Sequence, residues 1–294
     1  MSTAFENRQV VVGDVRSPVL VGGPRDASPT EAVVFVHGNP GGGADWLSLM
    51  APVSEFARVI APDMPGFARA EKRADQDYTV AGYAHHLNGV ITAFGLERVH
   101  LVAHDFGGPW ALTWAADHPE QVASITLVNT GVLLDYRWHR LARVWRLPLV
   151  GELFQRGAAP GMVRSLLQHD NPGLDRRWVA KLAAHLRPWG TKRAVLRLYR
   201  STSVSSMPPL AAALRRHDFP CLVVWGTADV YLPTEQADRQ REPFPSAQIH
   251  KIPGAGHWVW LEEPDRVAHH VLPHLRSQVG ATRLHSPEPC KESQ

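Results

Sequence analysis

The sequence predicts an α/β protein whose mostly parallel β-sheet is flanked by helices. Short apolar runs alternate with segments of helical periodicity along most of the 294-residue chain. Glycine-containing turns follow several of these runs, as expected where strands lead into helices. Hydrophobic residues make up 44% and charged residues 20%, which is typical of a chain that buries a sizeable core.

Six apolar runs predict the strands, at residues 33–37, 59–61, 99–103, 125–129, 221–225 and 249–252. The first helix is predicted at 79–94, with Thr79 as its N-cap and Gly95 as its stop. A second helix leads from the turn after residue 103 to about Asp117, and a third covers about 264–279.

Residues 132–216 lack the strand pattern. Helical periodicity takes its place at 138–146, 162–167, 176–186 and 191–199. We therefore predict a helical cap at 132–216, inserted into a core domain formed by 1–131 and 217–280. Residues 281–294 are predicted to be a flexible, solvated tail.

The predicted cap is strongly basic. It contains 16 Lys and Arg residues but only four acidic ones, within a chain of net charge +3. The favoured interpretation is a set of amphipathic helices with arginines on their solvent-facing sides. The alternative is that the charge steers an anionic small-molecule substrate. No nucleic-acid-binding motif accompanies it, so we expect no nucleic-acid partner. The oligomeric state cannot be predicted from the sequence.

Composition also favours a cytoplasmic location. No stretch approaches the roughly 18 uninterrupted apolar residues of a membrane span, so none is expected. The first ten residues, MSTAFENRQV, lack the basic and apolar regions of a secretory signal. Two cysteines, Cys221 and Cys290, cannot form a disulfide framework and are expected to be free thiols.

The most informative segment joins the strand at 99–103 to the next helix. Small residues, Ala103, Gly107 and Gly108, flank the turn between them. A strand–turn–helix with small neighbours is typical of a nucleophile elbow, which raises its central side chain above the sheet. That side chain is Asp105, where serine is more common. The alternative interpretation is an ordinary helix N-cap.

Two further residues follow the elbow in the order acid, then histidine. Asp229 comes just after the strand at 221–225, and His257 comes just after the strand at 249–252. Strand ends on one side of a parallel sheet converge at one edge, where such folds bind ligands. The sequence therefore predicts a catalytic set of Asp105, Asp229 and His257. Taken singly, Asp229 could be a turn acid and His257 an incidental histidine after a glycine loop.

The turn after the first predicted strand supplies a fourth candidate feature, at His37-Gly38-Asn39-Pro40. The backbone N–H groups of Asn39 and Phe106 are predicted to form an oxyanion hole. An ordinary tight turn is the alternative.

From about residue 33 to 279 the chain resembles the α/β-hydrolase fold superfamily. The elbow His104-Asp105-Phe106-Gly107-Gly108 is similar to that of its aspartate-nucleophile branch, which includes epoxide hydrolases and haloalkane dehalogenases. The resemblance implies that Asp105 is the nucleophile, His257 the base that activates water, and Asp229 the acid that orients the histidine. It implies no metal ion and no organic cofactor.

The resemblance leaves the leaving group open. The favoured activity is hydrolysis of an epoxide to a vicinal diol, with Tyr199 of the cap protonating the departing oxygen. Dehalogenation of a haloalkane or haloacid is the alternative, with Asn39 contacting the halide. Dehalogenases typically have a tryptophan after the nucleophile, whereas this chain has Phe106, so a cap tryptophan such as Trp138 would have to replace it.

Two other possibilities remain. The same residues could serve an ester or lactone hydrolase or an enzyme that tailors a natural product. The scaffold could also be a small-molecule receptor with little turnover, because a fold by itself does not determine a function.

Overall fold

The computed structural model describes residues 5–281, which form an eight-stranded sheet covered by helices. The strands are β1 (Glu6–Val12), β2 (Val15–Gly22), β3 (Glu31–Val36), β4 (Val59–Pro62), β5 (Arg98–His104), β6 (Val122–Val128), β7 (Cys221–Gly226) and β8 (Gln248–Ile252). Their order across the sheet is β1-β2-β4-β3-β5-β6-β7-β8. Strands β3 to β8 are parallel, and β1 and β2 are antiparallel to their neighbours.

The predicted fold class is confirmed, and the six predicted strands correspond to β3–β8. The β1–β2 hairpin is not predicted by the sequence. Strand β1 exposes most of its side chains at the sheet edge. In β2 the apolar run is interrupted by Arg16, Ser17 and Pro18. Pro18 is tolerated here because β2 pairs with β4 only from Val19 onward, so the proline lies where β2 has a partner strand on one side only.

Twelve α-helices complete the described residues. They are α1 (Leu47–Val53), α2 (Val80–Ala93), α3 (Gly107–Asp117), α4 (Arg140–Arg146), α5 (Val150–Gly157), α6 (Pro160–Asp170), α7 (Arg176–His185), α8 (Trp189–Ser201), α9 (Met207–Arg215), α10 (Glu235–Arg239), α11 (Val259–Glu262) and α12 (Pro264–Gln278). Thr79 caps α2 as predicted, because its hydroxyl accepts the Gly82 N–H at 3.0 Å. Gly95 follows the helix with a φ of 62°.

The central parallel strands β3–β7 are buried on both faces, which explains their continuous apolar sequences. Along β3, Val34 and Val36 pack into one apolar cluster with α2 and α3, where the rings of Tyr83 and Trp110 stack at 4.0 Å. Val33 and Phe35 face the opposite cluster, which includes residues of α1 and α12. Each large side chain buried in this way contributes about 1.5–3 kcal/mol. The two apolar clusters hold the sheet from both sides. They thereby keep in place the edge at which the loops after β3, β5, β6, β7 and β8 meet.

Helices α4–α9 lie between β6 and β7, and we call residues 132–216 the helical segment. Four of them correspond to the predicted helices, whereas α5 and α9 are not predicted. The division of the chain into a core and a cap stays a prediction. The predicted tail lies outside the described residues, apart from Ala281. Within residues 5–281, no helix combines the length and the apolar character needed to cross a bilayer.

A buried carboxylate fastens the helical segment to the sheet domain. Asp45, in a 3₁₀ turn before α1, forms ion pairs with Lys181 at 2.9 Å and His185 at 3.1 Å, one turn apart on α7. Burial opposes ionisation, but His185 and Lys181 hold the pKa of the Asp45 carboxyl below its usual value. Displacement of α7 would take both partners away from the buried Asp45 carboxylate and leave its charge uncompensated, so these pairs anchor the helix.

Candidate active site

Asp105 occupies the tip of a strained turn between β5 and α3. Its φ of 49° lies in the left-handed region that non-glycine residues rarely adopt. The chain passes so closely that a Cβ on Gly107 would lie 2.3 Å from the Val36 carbonyl oxygen. A Cβ on Gly38 would similarly contact the Asp105 side chain at 2.4 Å. The predicted small neighbours are thus required by the backbone geometry.

The structure brings the three predicted residues together at the carboxyl edge of the sheet. His257 Nδ1 lies 2.7 Å from Asp229 Oδ2, and His257 Nε2 lies 3.5 Å from Asp105 Oδ2. All three side chains are largely buried: Asp105 keeps 11% of its side chain exposed, whereas His257 keeps 2%. The imidazole therefore lies between two carboxylates, with one of its nitrogens facing each.

Backbone and side-chain donors fix Asp229. The N–H groups of Tyr231 and Leu232 donate to its Oδ1 at 2.8 and 3.0 Å. The Asn129 side chain donates to Oδ2 at 2.7 Å, and its carbonyl oxygen accepts the Gly226 N–H at 2.9 Å. Oδ2 thus receives bonds from both Asn129 and His257, which holds the carboxylate in one orientation.

The sequence does not single out Asn129 or Tyr231. Asn129 directly follows β6 at the same sheet edge, with a φ of 44°. Its position as a polar residue at the end of a parallel strand is the sequence signal that could have indicated a site residue. Tyr231 packs edge-on against the His257 ring, with 5.1 Å between the ring centroids. Its position two residues after Asp229 carries no recognisable pattern.

The two carboxylates determine the charge state of His257. Burial lowers its pKa, but the charges of Asp229 and Asp105, together with the hydrogen bonds to both carboxylates, outweigh burial and raise the pKa to about 10. The imidazole is therefore a cation at neutral pH while both acids are ionised. Removal of either negative charge lowers that pKa.

The predicted oxyanion donors lie at Asp105 itself. The Asn39 N–H donates to Asp105 Oδ1 at 2.7 Å. Phe106 is the N-cap residue of α3. Within the described residues, its backbone N–H has no hydrogen-bond acceptor. The two oxygens of the carboxylate therefore have different partners. Oδ1 accepts the hydrogen bond from the Asn39 N–H, whereas Oδ2 faces His257.

A largely apolar cavity of about 230 Å³ opens above this carboxylate. Asp105, His257, Asn39, Tyr199 and Trp138 all contribute to its wall, as do Pro109, Leu133, Leu141, Phe154, Leu166 and Leu186. A site of this kind suits a small molecule with an apolar body. The predicted cap residues Tyr199 and Trp138 thus share a cavity with the elbow.

Tyr199 lies beside the candidate oxyanion turn. Its hydroxyl accepts a hydrogen bond from the Asn39 side chain at 3.4 Å, and its ring meets Phe106 edge-on at 4.9 Å. Burial, reinforced by the charge of Asp105, raises the pKa of Tyr199 well above its ordinary value. The phenol is therefore protonated. Tyr136 differs, because its hydroxyl already donates to the Tyr231 carbonyl at 2.9 Å.

The arginines of the helical segment have several roles. Arg146 donates to the Tyr199 and Thr202 carbonyls and lies over the Trp138 ring at 4.8 Å. These contacts hold cavity-wall residues in place. Arg187 and Lys192 contribute directly to the cavity wall, where they would attract a substrate with a negative charge.

A mostly parallel sheet that gathers an elbow, an acid loop and a histidine loop at one edge defines an α/β-type hydrolase. The chain belongs to the alpha/beta hydrolase fold family, whose family model matches residues 31–264. The predicted resemblance to this superfamily is confirmed. Membership of its aspartate-nucleophile branch stays a prediction.

Curated enzymes are similar to this chain in sequence, and solved structures share its fold. The chain is 27% identical over 272 residues to 2-hydroxymuconate semialdehyde hydrolase of Pseudomonas sp. (strain CF600), covering 89% of this chain and 90% of the relative. It is 26% identical over 257 residues to cis-3-alkyl-4-alkyloxetan-2-one decarboxylase of Shewanella oneidensis, covering 82% and 80%. The solved epoxide hydrolase CorEH shares the fold, with a TM-score of 0.77 and 18% identity over 93% of this chain and 99% of that one.

The close packing at the elbow leads to a stability prediction. Gly107→Ala should lower the free energy of unfolding by about 1–3 kcal/mol or more, because the new methyl group meets an immobile carbonyl. Chemical denaturation measures the change. Gly161→Ala in α6 is the matched control and should be neutral or slightly stabilising, since no atom lies within 4 Å of the new Cβ. Equal losses in both variants would contradict the packing argument.

The charge coupling leads to a second prediction. Asp105→Asn should lower the pKa of His257 from about 10, because one of two facing negative charges is removed. Nuclear magnetic resonance titration of the ring nitrogens measures it. The pKa of the buried His86, which burial lowers to about 4, should stay unchanged and serves as the internal control. An unaltered titration of His257 would show that Asp105 does not act on it.

Proposed function

We propose that the protein hydrolyses epoxides to vicinal diols through a transient ester between the substrate and Asp105. The observation that carries this proposal is the Asp105 carboxylate at the elbow, with one oxygen bound by the Asn39 N–H and the other facing His257. A carboxylate is ionised at neutral pH and attacks a saturated carbon without first losing a proton. A serine at the elbow would instead need a base for the first step.

In the first step, Asp105 Oδ2 attacks a ring carbon and the carbon–oxygen bond of the epoxide breaks. The electron pair goes to the departing oxygen, which takes the proton of the Tyr199 hydroxyl. The phenol is suited to this because the Asn39 side chain donates to its oxygen, so its own proton is free to be given to a ligand in the cavity. Trp138 and Phe106 pack beside the phenol ring and restrict its motion.

Formation of the ester changes the charge around His257. Asp105 becomes neutral, so the pKa of His257 falls from its value in the free enzyme. The imidazolium then gives its proton to the Tyr199 phenolate through the cavity. Both groups are thereby ready for the second step, with His257 neutral and Tyr199 protonated.

In the second step, His257 Nε2 takes a proton from water and hydroxide attacks the Asp105 carboxyl carbon. The negative charge develops on Oδ1, which the Asn39 N–H already contacts and which the Phe106 N–H is available to bind. One such donor is typically worth about 3–4 kcal/mol in the transition state. Collapse breaks the ester bond, the diol leaves with the carboxyl proton, and the initial charges of Asp105 and His257 return.

Opening of a strained lactone is the second candidate function. The relative from Shewanella oneidensis is named for an oxetan-2-one, a four-membered cyclic ester. Attack by Asp105 on the saturated ring carbon of such a substrate would release a carboxylate, which needs no acid. A halide leaving group likewise needs none, so Tyr199 distinguishes epoxides from both alternatives.

The ester intermediate can be trapped. In His257→Gln the first step should proceed while hydrolysis of the ester is blocked, because no base remains near the carboxyl carbon. Intact-mass spectrometry after incubation with styrene oxide should show the protein mass increased by one substrate. Asp105→Ala in the His257→Gln background is the control and should stay unmodified. Diol formation by the wild type without an adduct in His257→Gln would refute the covalent mechanism.

Tyr199→Phe tests the leaving group. Epoxide turnover should fall by roughly 10²–10⁴, the usual contribution of a general acid. Turnover of a β-lactone or a bromoalkane should change little if either is a substrate. Tyr136→Phe is a matched control, because that hydroxyl is bound to a backbone carbonyl. Equal epoxide kinetics in Tyr199→Phe and the wild type would exclude Tyr199 from the mechanism.

A further inference from the structure

Exposed apolar side chains are concentrated on one part of the helical segment. Eight large apolar side chains are exposed within residues 5–281, and six of them lie here. We call these six the leucine patch: Leu147, Leu149, Val150, Leu153, Met162 and Trp189. Leu149 exposes 77% and Leu153 exposes 66% of its surface. Contiguous apolar surface on a soluble domain marks an interaction site more often than chance exposure.

The members of the patch lie on α5 or close to it. Leu149 and Leu153 are one turn apart at the start of α5, so they lie on the same face. The Arg156 guanidinium at the end of α5 lies 5.7 Å from the centre of the Trp189 ring, which joins α8 to the patch. Met162 follows α5 after a short turn, near the start of α6.

Positive charge surrounds the patch. Arg143, Arg156 and Arg164 are exposed, and none of them forms an ion pair in the part of the chain that the structure describes. The only acidic residue between positions 143 and 164 is Glu152. Its carboxylate is neutralised by Arg200 through two bonds of 2.6 and 2.8 Å. Apolar side chains ringed by unpaired arginines are typical of helices that lie in the interface of an anionic membrane.

The patch also borders the cavity above Asp105. Met162 is exposed and contributes to the cavity wall, together with its neighbour Val163 and with Phe154 of α5. An apolar molecule dissolved in a bilayer would therefore reach the cavity without crossing water.

We propose that the leucine patch docks on the surface of an anionic phospholipid bilayer, from which the cavity receives an apolar substrate. A second copy of this chain is a poorer occupant, because a symmetric dimer would bring the arginines of both patches together. The proposal depends on the apolar cavity and the patch, and not on the chemical role of Asp105.

Vesicle sedimentation tests the docking. The protein should bind vesicles of phosphatidylcholine mixed with phosphatidylglycerol, bind phosphatidylcholine alone more weakly, and be released by salt. Leu149→Ser combined with Leu153→Ser should lower the partition coefficient at least about tenfold, given the free energy of burying two leucines. Thermal unfolding of the variant should match the wild type, since both side chains are exposed.

Val11→Ser is the matched control, because Val11 is 60% exposed on β1, away from the patch. It should leave the partition coefficient unchanged. The proposal is overturned if the wild type does not bind anionic vesicles, or if the double leucine variant binds as the wild type does. A concentration-dependent dimer that the leucine substitutions dissociate, with no binding to vesicles, would assign the patch to self-association instead.

Discussion

The site depends on the electrostatic relation between one buried imidazole and two carboxylates. Asp229 is held by two backbone N–H groups and the Asn129 side chain, so its charge has a fixed position next to His257. Asp105 is held on the opposite side by the Asn39 N–H and by the strained backbone of the elbow. The loops after five parallel strands supply these groups. The strand order and the tight elbow together keep the charged side chains of Asp105, Asp229 and His257 close to one another.

This arrangement ties the charge of the nucleophile to the proton affinity of the base. While both acids are ionised, the imidazolium is the favoured form, since it is the one cation between two anions. Ester formation neutralises Asp105, and the imidazolium form of His257 then loses one of the two negative charges that stabilise it. In the proposed mechanism the base therefore becomes competent only once there is an ester for hydroxide to attack. The apolar wall strengthens the coupling, because charges interact more strongly where water is excluded.

Most of the sheet and the three candidate catalytic residues could be predicted from the sequence because parallel strands are continuous apolar runs and their ends carry the polar residues. The edge hairpin β1–β2 could not, because its strands are interrupted or exposed. The roles of Asn129 and Tyr231 are hard to predict for a different reason, because they come from contacts between loops that are distant in the chain. The position of Tyr199 beside Asn39 depends likewise on how α8 packs over the sheet edge.

The anchoring of α7 by Asp45 has a consequence for how the cavity admits a molecule. The pairs with Lys181 and His185 tie α7 directly to the sheet domain. Helix α5, in contrast, is joined to α8 through Glu152 and Arg200, so its strongest polar tie lies inside the helical segment. Fluctuations that widen the opening are thus expected around α5 rather than around α7. Such motion on one side would admit bulky molecules while Tyr199, near the C-terminal end of α8, keeps its place over Asp105.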